Sequence, residues 1–317
     1  MPFITALKSL PTTAKVTLLM LLAMVFFTSM GIFIRLSAEQ LHSLSVVFFR
    51  NSLALLLMVP WILRRGVRVM YTKRLGLYSW RATINVIGMA AGFTAITMIP
   101  LAEATALGFT APLWATIGAV LVLGEVIRAR RITALACGFL GMLIVLRPGL
   151  NEISVGSLLA LSNAFLVAMT ALIVKRLTAT ERPDAIVTWM VLMQTPLSLI
   201  PALFVWQWPT TETWLWLWCL AGAGTLGHLC WTRAYALAEV TQLQPMEFIK
   251  LPIIALFAYL IFNEVPTLWT WLGGIVIFGS TAYITHREAR LARQRAQQAA
   301  FNTLPQESIS PQQRQNS

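Results

Sequence analysis

Apolar residues run along the chain in long blocks, each near the length of a membrane crossing, and the short stretches between them hold most of the charges. A helix needs about 20 apolar residues to cross the hydrocarbon core, and lipid offers nothing to an unpaired backbone group, so such blocks predict transmembrane helices. Ten are predicted, over 15–36, 43–63, 77–98, 102–123, 132–147, 155–176, 186–206, 213–235, 242–262 and 267–285. Pro100, Pro148-Gly149, Pro209 and Pro266 punctuate the connections, as expected where helices stop at a membrane surface. The first block, Val16 to Ile34, follows Lys8 and Lys15 but is too long for a signal-peptide core and lacks a small-x-small cleavage site. It is therefore expected to stay as the first span. From Arg287 the chain turns polar and rich in Gln, Ala, Arg and Ser, which predicts a brief helical extension and then disorder.

Composition sharpens this picture. With 57% hydrophobic and 11% charged residues, the 317-residue chain is an all-α membrane protein and not a soluble domain. The net charge of +12 could suggest nucleic acid, but the basic residues lie between apolar blocks and form no basic face on a soluble core, so no nucleic-acid partner is expected. They report topology. Arg64, Arg65, Arg68, Lys73 and Arg74 fall between spans two and three, Arg128, Arg130 and Arg131 between four and five, Lys175, Arg176 and Arg182 between six and seven, and Arg287 onward after ten. The alternate connections carry Glu39, Glu103, Glu152, Glu212 and Glu264, with Arg147 the exception. By the positive-inside rule both termini are cytoplasmic, in a multi-pass protein of a bacterial inner membrane.

The two halves repeat. Leu101-Ala102-Glu103-Ala104-Thr105-Ala106-Leu107 returns as Leu237-Ala238-Glu239-Val240-Thr241-Gln242-Leu243, and Gly124-Glu125-Val126 as Asn263-Glu264-Val265. The expected organisation is a first five-helix unit over 1–150, a second over 151–286 and a cytoplasmic tail over 287–317. An odd number of spans per unit inverts the second relative to the first, so matched positions face opposite sides. Inverted units suit alternating access around a site near the bilayer midplane.

The segments PLAEATALGFTAPLWATIGAVLVLGE and LAEVTQLQPMEFIKLPIIALFAYLIFNE resemble the drug/metabolite transporter superfamily, specifically its EamA-type permeases, over residues 15–286. Pro245-Met246-Glu247-Phe248 is similar to a motif of a bacterial branch that includes S-adenosylmethionine and riboflavin uptake carriers, with Met246 and Phe248 departing from it. The resemblance implies a cavity lined by spans one, three, four, six, eight and nine, and it marks Glu125 and Glu264 as structural signatures of the family.

Charges inside spans are costly, about 2.5 to 3.5 kcal/mol each on insertion scales, so they are the first places to look for a site. Glu247 and Lys250 share one helical face between Pro245 and Pro252. They read either as an ion pair that lowers the cost of insertion or as cavity groups, Glu247 binding a cationic or amino group or a coupling proton and Lys250 moderating its charge or meeting a substrate anion. Arg50 could bind a substrate anion or pair within the scaffold. His228, after Gly222, Gly224 and Gly227, reads as a packing residue or a proton relay. Arg81 and Arg233 are expected to snorkel to the headgroups. Asn85, Asn163, Gln194, Gln242 and Gln244 could bond a neighbouring helix or a solute. Trp231, Phe109 and Trp114 are the aromatic cavity candidates, the other tryptophans fitting interfacial belts. Glu125 and Glu264 are expected to cap the first turn of the helix that follows each.

The leading function is a secondary transporter of a small polar or amphipathic metabolite or drug-like solute. A channel or sensor without coupled transport is the alternative. An enzyme is not expected: His42, His228 and His286 form no HExxH arrangement, Cys137, Cys219 and Cys230 no metal-ligand spacing, and no G-x-S-x-G elbow or P-loop occurs. No cofactor, metal or catalytic residue is therefore predicted. The partners are the lipid bilayer and a small-molecule substrate, with proton coupling and a homodimer both left open.

Overall fold

The computed structural model describes residues 12–65, 71–111, 113–115, 117, 129–147, 154–238, 250–280 and 283. Among them the regular structure is all helical, without strands. The helices are α1 (Thr12–Ala38), α2 (Ser43–Arg65), α3 (Leu75–Met98), α4 (Leu101–Gly108), α5 (Ala129–Leu146), α6 (Val155–Thr178), α7 (Pro183–Leu203), α8 (Thr211–Leu237), α9 (Lys250–Phe262) and α10 (Leu268–Ser280). In α1, α2, α6 and α7 there are segments long and apolar enough to cross a bilayer by that measure alone. Leu56, Ile87, Leu226, Leu256 and Leu260 point outward and exposed, an outer face suited to lipid and not to water.

The predicted span 102–123 departs from a single helix. α4 ends at Gly108, and Phe109 and Thr110 form a turn in which the Phe109 N–H is shared between the carbonyls of Thr105 and Ala106 (3.3 and 3.2 Å). The Thr110 hydroxyl donates to the Leu107 carbonyl at 2.7 Å and competes for a group the helix would otherwise use. Predicted span nine begins at residue 242, and α9 is described from Lys250. Cap chemistry sets two other starts: Ser154 accepts from the Ser157 N–H before α6, and Thr210 from the Thr213 N–H before α8.

The helix pairings exchange under the sequence repeat. α1 packs chiefly on α8 and α6 chiefly on α3, and these are equivalent pairs if the first and sixth helices and the third and eighth correspond. α2 with α7 and α4 with α9 map onto themselves. The first helices of the two halves run in opposite directions: Arg35, near the end of α1, and Gly156, at the start of α6, both meet Ile99. Such exchange is what a two-fold relation between inverted halves requires.

α5 and α10 cross at glycines. A Cβ on Gly141 would lie 2.9 Å from the Gly273 carbonyl oxygen and 2.8 Å from the Ile277 side chain, so backbone meets backbone with no space for a methyl group. Replacing Gly141 by alanine is expected to destabilise the protein by about 2 kcal/mol through overpacking, read as a lower thermal midpoint of the purified protein in detergent.

Candidate functional site

One end of the helix assembly is fastened by Glu264. After α9 the chain reverses at Asn263, whose φ of 54° is left-handed, and the Glu264 N–H reaches back to the Ala258 carbonyl at 3.1 Å. This Schellman-type cap turns the Glu264 side chain away from α10. Its carboxylate pairs with Arg35 on α1 and accepts the Leu101 N–H of α4 at 3.0 Å. Pro100, the residue before α4, offers no side-chain cap, so a carboxylate from another helix satisfies that N-terminus and its dipole. Arg35 completes the knot by donating to the carbonyls of Ile96 (3.1 Å) and Ile99 (2.7 Å). The expectation that Glu264 caps its own next helix is thereby corrected: Thr267 does that, accepting the Thr270 N–H at 3.2 Å. Glu125 lies outside the described residues.

Inside this fastening lies a cavity of about 320 Å³. α1, α3, α4, α6, α8 and α9 contribute to its wall, and Phe278 adds α10. Of the sequence candidates, Lys250, Trp231 and Phe109 line it. Trp231 stacks on Tyr235, also in the wall, with ring centroids 4.0 Å apart and planes 31° apart, so the two rings form one aromatic stack. Phe109 reaches the wall because the turn after Gly108 swings it inward. The Lys250 ammonium sits 5.7 Å from the centroid of Phe27, another wall residue. Glu247 is outside the described residues.

Other residues singled out in the sequence fall elsewhere. Arg50 is buried against Gly224 of α8 and donates to the Asn51 amide oxygen at 2.9 Å, while Asn51 donates to Ser198 at 3.3 Å. Arg50 thus packs on α8, and its partner Asn51 bonds α2 to α7. His228 stacks edge-on with Phe27 at 5.1 Å, behind the wall. Asn85 points to the Met89 sulfur at 3.8 Å. Trp114 packs edge-on between Phe139 and Phe165. Arg81 does not snorkel: it is 2% exposed and donates to the Ile186 carbonyl and the Met190 sulfur. A guanidinium shielded by Tyr78, Ile186 and Met190 finds its acceptors on α7, within reach, and not at the headgroups. Arg233 meets Asp184 at 2.7 Å and is half-exposed.

Sequence reasoning missed Arg35, which looked like an ordinary basic residue at a helix end. Asn163 was one of five undecided amides. It stands in the cavity wall over Gly92, where a Cβ would come within 2.7 Å of its amide nitrogen. Among the described residues no cluster of His, Cys, Asp and Glu could hold a metal ion.

The model of the EamA-like transporter family matches residues 14–147 and again 154–286. A riboflavin transporter of Vibrio cholerae serotype O1 is 34% identical over 258 residues, 80% of this chain and 86% of that protein. An S-adenosylmethionine uptake transporter of Rickettsia prowazekii is 26% identical over 251 residues, 79% of this chain and 85% of that protein. A solved crystal structure superposes with a TM-score of 0.63 at 16% identity, covering 88% of this chain and 99% of that one, which speaks for the fold alone.

Proposed function

From the premise that this chain belongs to the EamA-like transporter family, and so is a multi-pass membrane transporter of small metabolites, we propose that it takes up a planar heteroaromatic solute of the riboflavin kind by alternating access. The observation that carries the reading is the stacked Trp231–Tyr235 pair in the wall of a cavity about 320 Å³ in size. Aromatic stacks favour flat π-systems over flexible chains, because stacking adds about 0.5–1.5 kcal/mol beyond the area buried. Charge supports a neutral substrate. Among the described wall residues Lys250 is a cation and none is a carboxylate. That disfavours a sulfonium such as S-adenosylmethionine relative to an uncharged ring system. Glu247, three residues before Lys250 in the sequence, is the candidate for carrying a coupling proton.

Ten crossings in two inverted units, 1–150 and 151–286, provide the two openings that alternating access needs, with the 287–317 tail and the N-terminus in the cytoplasm. Support for the inversion comes from the exchanged helix pairings, and for the orientation from the loop arginines and lysines. The Arg35–Glu264–Leu101 fastening then closes the outward end in the state described.

The reading is tested by equilibrium binding to purified protein in lipid nanodiscs, following quenching of riboflavin fluorescence. Saturable quenching that excess unlabelled S-adenosylmethionine fails to reverse is expected. Riboflavin that does not bind, or that S-adenosylmethionine displaces at equal concentration, would refute it.

A further inference from the structure

The cavity has a polar side as well as an aromatic one, and the two lie at different depths. Arg35 and Gly156 both meet Ile99, which fixes one level. Thr28 lies seven residues before Arg35 on α1, and Asn163 lies seven residues after Gly156 on α6. Since α1 and α6 run in opposite directions, both positions sit about 10 Å inside that level at 1.5 Å per residue. Gly92 is seven residues before Ile99 on α3, and it touches Asn163. All three residues line the cavity. Trp231 lies one turn further along α8 than Gly227, which packs on Phe27, so the aromatic stack begins about one turn from the polar layer.

Both polar side chains in this layer keep hydrogen-bonding capacity unused among the described residues. The Thr28 hydroxyl is buried, at 2% exposure, and has no hydrogen-bond partner among the described residues. The Asn163 carboxamide lies flat against the bare Cα of Gly92, with its oxygen 3.4 Å from where a Cβ on Gly88 would stand. It makes no hydrogen bond to another described residue. Two glycines one turn apart on α3 therefore make the slot that holds this amide in the wall. An amide presents a donor and an acceptor side by side in one plane, and its natural complement is another such pair.

We propose that Thr28 and Asn163 form a hydrogen-bonding subsite for the edge of the solute, recognising an amide or imide group on a flat ring whose face rests on Trp231. This rests on the ring-stacking reading above and adds what distinguishes one flat ring from another. A site built around a polar edge rejects analogues that leave its buried groups unpaired more strongly than it rejects a change in ring size.

The test uses two tricyclic probes of the same size, one with a free imide N–H and one methylated at that nitrogen, bound to the full-length protein in nanodiscs. Wild type is expected to bind the free-imide probe about tenfold more tightly, the effect of one well-made hydrogen bond in a shielded site. Asn163→Leu should bring the ratio near one by weakening the free-imide probe alone. Gly92→Ala, which displaces the amide without removing it, should do the same, and Thr28→Val should reduce the ratio by about threefold. Wild type binding neither tricycle overturns the stacking reading together with this one. Wild type and both α6 and α3 variants binding the two probes with the same tenfold ratio overturns the subsite alone.

Discussion

Replacing Glu264 by alanine is expected to destabilise the protein by about 3 kcal/mol, the largest single effect predicted, because the substitution strands a partly buried guanidinium and uncaps a helix at once. Both side chains are mostly shielded, Arg35 at 16% and Glu264 at 24% exposure, so solvent screens the pair only in part. Arg35→Ala should cost less, about 2 kcal/mol, since Glu264 keeps the Leu101 N–H. The double variant should fall short of the sum by about 1 kcal/mol or more, as expected for residues in one network. Glu264→Gln should lie between wild type and Glu264→Ala, retaining an acceptor for Leu101 without the charge. Thermal unfolding of the four variants in one detergent measures all of this. Equal midpoints for wild type and Glu264→Ala would show that the fastening does not hold this end together.

The second large effect concerns binding. Trp231→Ala removes one ring of the aromatic stack and is expected to weaken riboflavin binding about 30-fold, corresponding to about 2 kcal/mol. Trp231→Phe should restore most of it, because a phenyl ring can still lie against Tyr235. Lys250→Met should change affinity for a neutral ring much less. The pattern separates stacking from electrostatics. A Trp231→Ala protein that binds riboflavin as wild type does would remove the stack from the site.

Much of the architecture is legible in the sequence because the bilayer imposes it. Length of apolar run alone placed α3, α6 and α8 within two residues of their observed ends. The family resemblance also implied the wall helices, apart from α10, whose Phe278 enters the cavity at a residue type with no distinguishing pattern. Charge was a poorer guide to the site. Arg50 and Arg81 stand out in any hydropathy reading, yet neither lines the cavity: Arg50 bonds Asn51 on its own helix and Arg81 bonds α7. A buried arginine needs acceptors, and whether those belong to the scaffold or to a solute depends on which helix faces it. Nothing in the local sequence encodes that.

The fastening at Glu264 had a signal that could have been read. Gly124 and Asn263 occupy matched places before Glu125 and Glu264, and Gly and Asn are the residues that tolerate the left-handed cap observed at Asn263. Arg35-Leu36-Ser37-Ala38 likewise matches Arg176-Leu177-Thr178-Ala179 in the second half. Arginine, capping residue and carboxylate thus occur in both halves. Asn163 gave no such warning, since its importance comes from Gly88 and Gly92 on a helix more than 70 residues away in sequence.

Uptake of radiolabelled riboflavin into proteoliposomes, comparing wild type with Trp231→Ala at matched protein incorporation, bears most directly on the claim that this cavity is the transport site. Uptake that saturates with concentration in wild type and falls at least tenfold in the variant at sub-saturating riboflavin is the predicted result. Flux that rises linearly without saturation, or that is the same in both proteins, would contradict it.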